Sequence, residues 1–221
     1  MTSPRPPVAD RPRPVFSRFY AAISGRMDDE GLAALRTELL APLSGAVVEI
    51  GAGNGRNFAR YPATVTHVTA VEPEPRLRAL AAEAATTAPV AVTVVPGTAT
   101  ALPLAGACCD AAVVCLVMCS LPDRPAALAE VTRVLRPGGM LAFLEHTRAG
   151  TPVLRAVQRL ADATVWPLLT GGCHTATDPL GDITAAGFAV TTARRLRFPG
   201  SGPPQPASPH VLGLARRPVG R

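Results

Sequence analysis

The chain has 221 residues, 48% of them apolar, and a formal net charge of +6. This size and composition suit one large domain with a full apolar core. All 22 basic residues are arginine, which excludes lysine Schiff-base and amine catalysis. With 4% aromatic residues, the chain lacks the stacking side chains of single-strand nucleic-acid binders, so we predict no nucleic-acid partner.

The cysteines indicate a reducing environment rather than a disulfide framework. There are five, and none is spaced as in a zinc motif: Cys108, Cys109, Cys115, Cys119 and Cys173. An odd number of cysteines argues against paired bridges, so we predict free thiols and no metal site. The apolar run 111–119 is too short to span a bilayer. We therefore expect a cytoplasmic protein without a stable membrane anchor.

The N-terminal region divides into a lead-in and two helices. Residues 1–14 include five prolines and predict a flexible lead-in, with one domain over residues 15–221. Apolar spacing typical of a helix face is formed by Phe16, Phe19, Tyr20 and Ile23. A second amphipathic helix is predicted over residues 31–40. The segment 15–42 either packs on the core or closes over a ligand site as a lid.

From residue 47 the pattern alternates between strands and helices. The predicted strands are 47–50, 65–71, 90–95, 110–117 and 140–144, and the predicted helices are 54–60, 75–86 and 124–135. Such alternation favours a parallel sheet covered on both faces. Helical patterns follow at 153–165 and 178–186, and the strands 188–196 and 210–215 are joined without a helix. The fold class is therefore α/β: a doubly wound, mostly parallel seven-stranded sheet with an antiparallel edge pair and N-terminal helices.

A glycine-rich turn follows the first predicted strand. Gly51, Gly53 and Gly55 permit backbone conformations that a Cβ would forbid, and they leave the main chain open to a ligand. A helix starting at Asn54 would direct its free N–H groups at the same space. The glycine spacing differs from the Gly-x-Gly-x-x-Gly pattern of dinucleotide sites.

Further candidate ligand contacts occur where later strands end. Glu72 lies 21 residues after Gly51, an offset that suits a carboxylate accepting hydrogen bonds from ribose hydroxyls. Its alternative role is an acid at a helix start, favoured by the dipole. The turn 97–103 could border an adenine ring or simply connect two elements, and the segment 115–120 could line the same pocket or pack in the core.

Four ordered motifs resemble those of class I S-adenosylmethionine-dependent methyltransferases. They are the segments 48–55, 71–73, 110–114 and 133–139, the last being Arg-Val-Leu-Arg-Pro-Gly-Gly. The segments 115–121, 144–146, 171–175 and 208–213 resemble the thiol methyltransferases of animal microsomes and their bacterial relatives. Those animal enzymes begin with a membrane-anchoring apolar segment, where this chain has its proline-rich lead-in. They also have Asp at the position of Glu72.

The resemblance implies S-adenosylmethionine as cofactor, with S-adenosylhomocysteine as product. The residues expected to bind it are Glu49, Gly51, Ala52, Gly53, Asn57, Glu72, Pro73, Gly97, Thr98, Ala99, Cys115 and Leu116. Catalytic roles on the acceptor side are expected for His146 and His174, and acceptor-binding roles for Tyr20, Cys119 and His210. Each of these histidines could instead be a satisfied structural side chain.

The predicted function is methyl transfer to a small molecule, with a thiol as the first acceptor class. O-, N- or C-methylation of a phenol, quinone precursor or amine is the alternative. Two further classes stay open: a dinucleotide-dependent oxidoreductase, which the glycine spacing and the lack of lysine disfavour, and a donor-binding subunit without catalysis. The oligomeric state is not indicated by the sequence.

Overall fold

The computed structural model describes residues 12–164 and 166–219, so most of the predicted lead-in lies outside it. Helix α1 spans Pro14–Met27, a π-helical turn spans Asp28–Leu32, and helix α2 spans Ala33–Leu40. Gly31, with φ at 116°, supplies the kink between the two helices. The two N-terminal helices predicted from the apolar spacing therefore form one bent unit.

A single seven-stranded sheet forms the centre of the fold. Its strands are β1 (Gly45–Ile50), β2 (Val65–Val71), β3 (Val92–Val95), β4 (Cys109–Cys115), β5 (Leu135–His146), β6 (Ala189–Arg197) and β7 (Pro209–Arg216). The order across the sheet is β3-β2-β1-β4-β5-β7-β6. Strands β1 to β5 are parallel, and β7 runs antiparallel to both β5 and β6. The predicted doubly wound sheet with an antiparallel edge is confirmed.

Helices cover both faces of this sheet. The remaining helices are α3 (Pro75–Ala85), α4 (Arg124–Val134), α5 (Pro152–Asp162), α6 (Trp166–Leu169) and α7 (Pro179–Ala185). Alternate residues of β1 point to opposite faces. Val47 packs in the cluster that contains Leu40 of α2, while Val48 packs in the cluster that contains Leu128 of α4. Among the described residues, no helix is long and apolar enough to cross a bilayer.

The prediction of a helix over residues 54–60 is wrong. The glycine turn continues as turns and ends in a short 3-10 segment, Phe58–Arg60. Gly55 has φ at 78°, which is incompatible with an α-helix, and Pro62 restricts Tyr61 to an extended conformation. Too few residues lie between these two constraints for a regular helix.

Two other regions differ from their predictions. Strand β5 begins at Leu135 and not at residue 140, because Leu135 already pairs with Cys109 of β4. The register is irregular between this pair and the next one, Ala111 with Met140, where β5 contains the Arg-Pro-Gly-Gly segment. The apolar face predicted for the helix over 153–165 is exposed in part: Val153 is 77% exposed and Leu160 67%. The buried residue of α5 is instead Gln158, whose amide bonds four backbone groups of the surrounding loops.

Candidate active site

A cavity of about 490 Å³ lies at the carboxyl ends of β1, β2 and β4. This is where the strand order reverses, the usual ligand position in an open parallel sheet. The predicted site residues on its wall are Tyr20, Gly51, Gly53, Glu72, Pro73, Thr98, Ala99, Cys115 and Leu116. The structure thus brings the end of β1, the end of β2 and the turn after β3 together around one space.

Gly51 is held in a conformation that requires glycine. Its φ is 66°, and its N–H donates to the Val71 carbonyl over 2.8 Å. A Cβ at this position would lie 2.7 Å from Cγ2 of Val117, a side chain that also lines the cavity. Both the backbone angle and the close packing therefore exclude a side chain at residue 51.

The next glycine of the turn is bonded directly to the acid at the end of β2. Gly53 N–H donates to Glu72 Oε2 over 2.7 Å, and Glu74 N–H donates to Glu72 Oε1 over 2.9 Å. Burial raises the pKa of the Glu72 carboxyl to about 7, although these two backbone hydrogen bonds oppose the shift. Each carboxylate oxygen can accept a further hydrogen bond, so the group can still bind ligand hydroxyls.

Helix α1 forms the side of the cavity opposite the sheet. The rings of Phe16 and Tyr20 are stacked with centroids 5.7 Å apart, and both line the cavity. A Cβ added to Gly53 would lie 3.0 Å from Tyr20 Cε1. A Cβ added to Gly171 would lie 2.7 Å from Phe16 Cδ2. The helix can approach the site this closely because its aromatic rings pack on glycines.

Behind the glycine turn lies a buried polar network. Glu49 accepts hydrogen bonds from Asn57 Nδ2 at 2.9 Å and from the Tyr61 hydroxyl at 2.6 Å. Arg36 donates to Asn57 Oδ1 at 2.9 Å and lies 3.2 Å from the sulfur of Cys115. Glu49 and Asn57 were both expected to bind the cofactor, but neither is on the cavity wall. Their side chains are hydrogen-bonded to each other behind it.

The same network holds the N-terminal helices to the glycine turn. Asp28, in the π-helical turn, is 5% exposed and accepts hydrogen bonds from three arginines. The distances are 3.2 Å from Arg36 Nε, 3.0 Å from Arg56 Nε and 3.2 Å from Arg60 Nη2. Because Arg56 and Arg60 follow the glycine turn, this cluster couples the position of α1 to that of the cavity wall.

Ionisation of Glu49 should lower the free energy of unfolding as pH rises. Burial raises its pKa to about 7, with opposing hydrogen bonds from Tyr61 and Asn57. A carboxyl with a raised pKa binds its proton more tightly in the folded state, so its contribution is full below about pH 4.5 and is lost as pH rises to about 7. We expect Glu49→Gln to flatten the pH dependence of the free energy of unfolding in this range, measured by urea denaturation. Glu38→Gln, at an exposed site, should leave it unchanged.

Two other expected cofactor residues also lie off the wall. Ala52 is buried in the core that contains α2, and its N–H donates to the Val71 carbonyl at 3.2 Å. A Cβ on Gly97 would lie 2.8 Å from Val71 Cγ1, so this glycine is required for packing of the turn after β3. The sequence pattern could not separate these packing roles from ligand contact, since both require small residues.

The histidines predicted on the acceptor side occupy three different environments. His174 is exposed, with Nδ1 2.9 Å from the Gly172 carbonyl oxygen. His210 is buried in the sheet, with Nδ1 2.9 Å from the Ser208 carbonyl oxygen. Burial lowers the pKa of His210 to about 3, so it is neutral at physiological pH. None of His146, His174 and His210 lines the described cavity.

His146 instead lies beside two buried cysteines. One of its ring nitrogens and the sulfurs of Cys119 and Cys173 all lie within 4.8 Å of one another. The pKa of Cys173 is lowered to about 5, chiefly by its hydrogen bond with Cys119 and also by its hydrogen bond with His146. Burial opposes this shift. Cys119 precedes the wall residue Ser120, so this cluster adjoins the cavity behind its lining.

Some wall residues were not predicted from the sequence. Arg13 was assigned to the lead-in, but it precedes α1 and its guanidinium donates to the Gly171 carbonyl. The helix can begin at Pro14 because proline is tolerated in a first helical turn. Gly171 lies in the segment 171–175, and the resemblance of this segment to the thiol methyltransferases was the available signal for it.

Comparison with known proteins agrees with this geometry. A family model described as a methyltransferase domain matches residues 48–143. The thiol S-methyltransferase TMT1B of Mus musculus is 34% identical over 176 residues, covering 77% of this chain and 70% of that protein. The ubiquinone/menaquinone biosynthesis C-methyltransferase UbiE of Syntrophotalea carbinolica is 27% identical over 167 residues, covering 75% and 70%.

A solved structure shares the fold. The SAM-dependent methyltransferase of Thermotoga maritima superposes with a TM-score of 0.66 at 21% identity, covering 92% of this chain and 98% of the other. The sequence relatives, the domain match and the glycine turn at the sheet's switch point agree on one cofactor, S-adenosylmethionine. The chain belongs to the class I S-adenosylmethionine-dependent methyltransferase family.

Proposed function

We propose that this enzyme transfers the methyl group of S-adenosylmethionine to the sulfur of a small-molecule thiol. The observation that carries the thiol acceptor is the 34% identity to a thiol S-methyltransferase over most of both chains. The cavity supports a small acceptor, since it is bounded by α1 and its volume is about 490 Å³.

For the donor, we propose a position along the glycine turn. The methionine part would lie against the bare main chain of Gly51 and Gly53, with the ribose hydroxyls donating to Glu72. The turn at Thr98 and Ala99 would border the adenine, since both residues lie on the same wall. Leu116, whose φ of 61° turns the chain at the end of β4, would line the pocket beside the ring.

The proposed chemistry is an in-line displacement at the methyl carbon. A sulfur lone pair attacks as the bond from the methyl group to the donor's sulfonium breaks, and the leaving thioether is neutral. Alignment and exclusion of water supply most of the acceleration. A free thiol has a pKa of about 8.5 and loses its proton readily, whereas a phenol or a carbon acid needs a stronger base.

The acceptor would enter between α1 and the segment around Gly171. Phe16, Tyr20 and Ser120 line this side of the cavity, and the first two supply apolar surface that excludes water. The segment 15–42 would then act as a lid, with its position fixed by the Asp28 cluster. The catalytic roles of His146 and His174 remain predictions: His146 lies one layer behind the wall and His174 is exposed.

Donor binding should strengthen as pH rises through about 7. Burial raises the pKa of Glu72 to about 7, and ribose hydroxyls bind best to its ionised form. Binding then releases a proton, so the affinity measured by calorimetry should increase from about pH 6 to 8. Glu72→Gln should weaken binding roughly 10-fold or more and remove this pH dependence. Glu83→Gln, on the exposed face of α3, is the control, and an equally pH-dependent Glu72→Gln would contradict the assignment.

The acceptor class is tested by supplying methyl-labelled S-adenosylmethionine with a panel of thiols, phenols, quinone precursors and amines. We expect label transfer to thiols, with the product identified as a thioether by mass spectrometry. C-methylation of a quinone precursor is the second candidate, favoured by the 27% identity to UbiE. Transfer to that class alone would replace the thiol assignment, and donor binding without transfer to any acceptor would favour a non-catalytic subunit.

A further inference from the structure

Two cysteine sulfurs and a histidine nitrogen from separate parts of the chain lie close together. Cys119 lies in a 3-10 turn after β4, His146 is the last residue of β5, and Cys173 lies in the loop between α6 and α7. Cys119 is 2% exposed and Cys173 6% exposed. The sequence did not indicate this grouping, because the three residues are widely spaced along the chain and only the sheet brings them together.

The separation of these atoms suits a metal ion. With no two ligand atoms more than 4.8 Å apart, an ion centred among them would lie within about 2.8 Å of each. Zinc bonds to sulfur at about 2.3 Å and to histidine nitrogen at about 2.0–2.1 Å. Closing the difference needs each sulfur to move by about 0.5 Å and the histidine nitrogen by about 0.7–0.8 Å.

The outer contacts of His146 orient it as a ligand. Its Nδ1 lies 3.0 Å from the Ala207 carbonyl oxygen. A carbonyl oxygen only accepts hydrogen bonds, so Nδ1 donates to it and Nε2 is the ring nitrogen left to bind a metal. Metal-binding histidines characteristically donate their second ring N–H to a carbonyl or carboxylate.

Hydrogen bonds to backbone carbonyls also join the three segments to one another. His174 N–H donates to the Cys119 carbonyl over 2.8 Å, which joins the two cysteine-bearing segments. The Thr177 hydroxyl donates to the His146 carbonyl over 2.8 Å, which joins the same loop to β5. The ligand positions are therefore held by the fold and do not depend on the metal to assemble them.

We propose that Cys119, His146 and Cys173 bind one Zn²⁺ ion beside the acceptor side of the cavity. Two thiolates and an imidazole favour zinc over magnesium or calcium, which prefer oxygen ligands. Three protein ligands leave a fourth position for water or another small ligand, the arrangement typical of non-structural zinc sites. The site does not depend on the identity of the methyl acceptor.

The test is metal titration of the full chain after reduction and chelator treatment under anaerobic conditions. We expect one equivalent of Zn²⁺ to bind in competition with a chromogenic indicator. Co²⁺ should give the thiolate-to-metal charge-transfer absorption of a sulfur-ligated tetrahedral site. Cys119→Ser, Cys173→Ser and His146→Ala should each weaken binding by at least about 100-fold, above the range for outer-shell partners. Cys108→Ser, near the opposite end of β4, should bind as the wild type does.

Thermal unfolding separates a lost site from a lost fold. Zn²⁺ should raise the midpoint of the wild type and of Cys108→Ser, and should leave that of folded Cys119→Ser and Cys173→Ser unchanged. The proposal is overturned if the reduced wild type binds no Zn²⁺ at one equivalent, or if the cysteine variants retain the Co²⁺ spectrum. Formation of a Cys119–Cys173 disulfide in a protein that binds no metal when reduced would likewise overturn it.

Discussion

Gly51→Val is expected to weaken binding of S-adenosylhomocysteine by at least about 100-fold, or roughly 2.7 kcal/mol. Residue 51 has φ at 66°, a conformation that a β-branched residue adopts only with strain. The added side chain would also meet Val117, which lies 2.7 Å from the Cβ position. Relieving either conflict moves the main chain along which we place the donor. Isothermal titration calorimetry measures the change directly.

The matched control is Gly150→Val, in the loop before α5. Among the described residues other than its two chain neighbours, none has an atom within 4 Å of a Cβ at that position, and the backbone of Gly150 is not in the left-handed region. This variant should bind the product as tightly as the wild type does. A folded Gly51→Val protein with unchanged affinity would show that the donor does not lie along the glycine turn.

Arg36→Met is expected to lower the free energy of unfolding by about 3 kcal/mol. Its side chain is 4% exposed and bonds three partners, Asp28, Asn57 and Cys115. Methionine fills similar space but leaves the buried Asp28 carboxylate and the Asn57 carbonyl short of a donor. Because Asp28 also joins the N-terminal helices to the glycine turn, donor affinity should fall together with stability. Urea denaturation of the wild type and variant measures the first effect.

Arg194→Met supplies the comparison for this substitution. Arg194 pairs with Glu38 over 2.7 Å, but both side chains are about half exposed. Exposed pairs of this kind contribute about 0–1 kcal/mol, so the loss should be within that range. Equal losses for Arg36→Met and Arg194→Met would show that the buried network does not stabilise the fold.

Much of the fold could be predicted because strand and helix periods are local. The second strand was predicted over residues 65–71 and is observed there. It was predictable because a run rich in β-branched residues is followed directly by Glu72-Pro73, which marks its end. The prediction of a helix over residues 54–60 was wrong, because the pattern of residue types there does not reveal the positive φ of Gly55. The partly exposed face of α5 shows the same limit: helical periodicity indicates a face without indicating what covers it.

The cavity wall was predictable where the glycine turn exposes main chain, and unpredictable where distant side chains are brought together by the fold. Gly51, Gly53 and Glu72 follow directly from a glycine turn and the end of the next strand, and all three line the cavity. Glu49 and Asn57 belong to the same motif but bond each other behind the wall. The role of Arg36 in that network depends on the packing of α2 against the sheet, for which no local signal exists.

The central claim is that the donor lies along the glycine turn with its ribose on Glu72. A crystal structure of the chain with S-adenosylhomocysteine tests it most directly. We predict density for the ligand between Gly51, Gly53 and the Ala99 turn, with both ribose hydroxyls within hydrogen-bonding distance of the Glu72 carboxylate. Ligand density elsewhere on the chain, with this cavity filled only by solvent, would contradict the account.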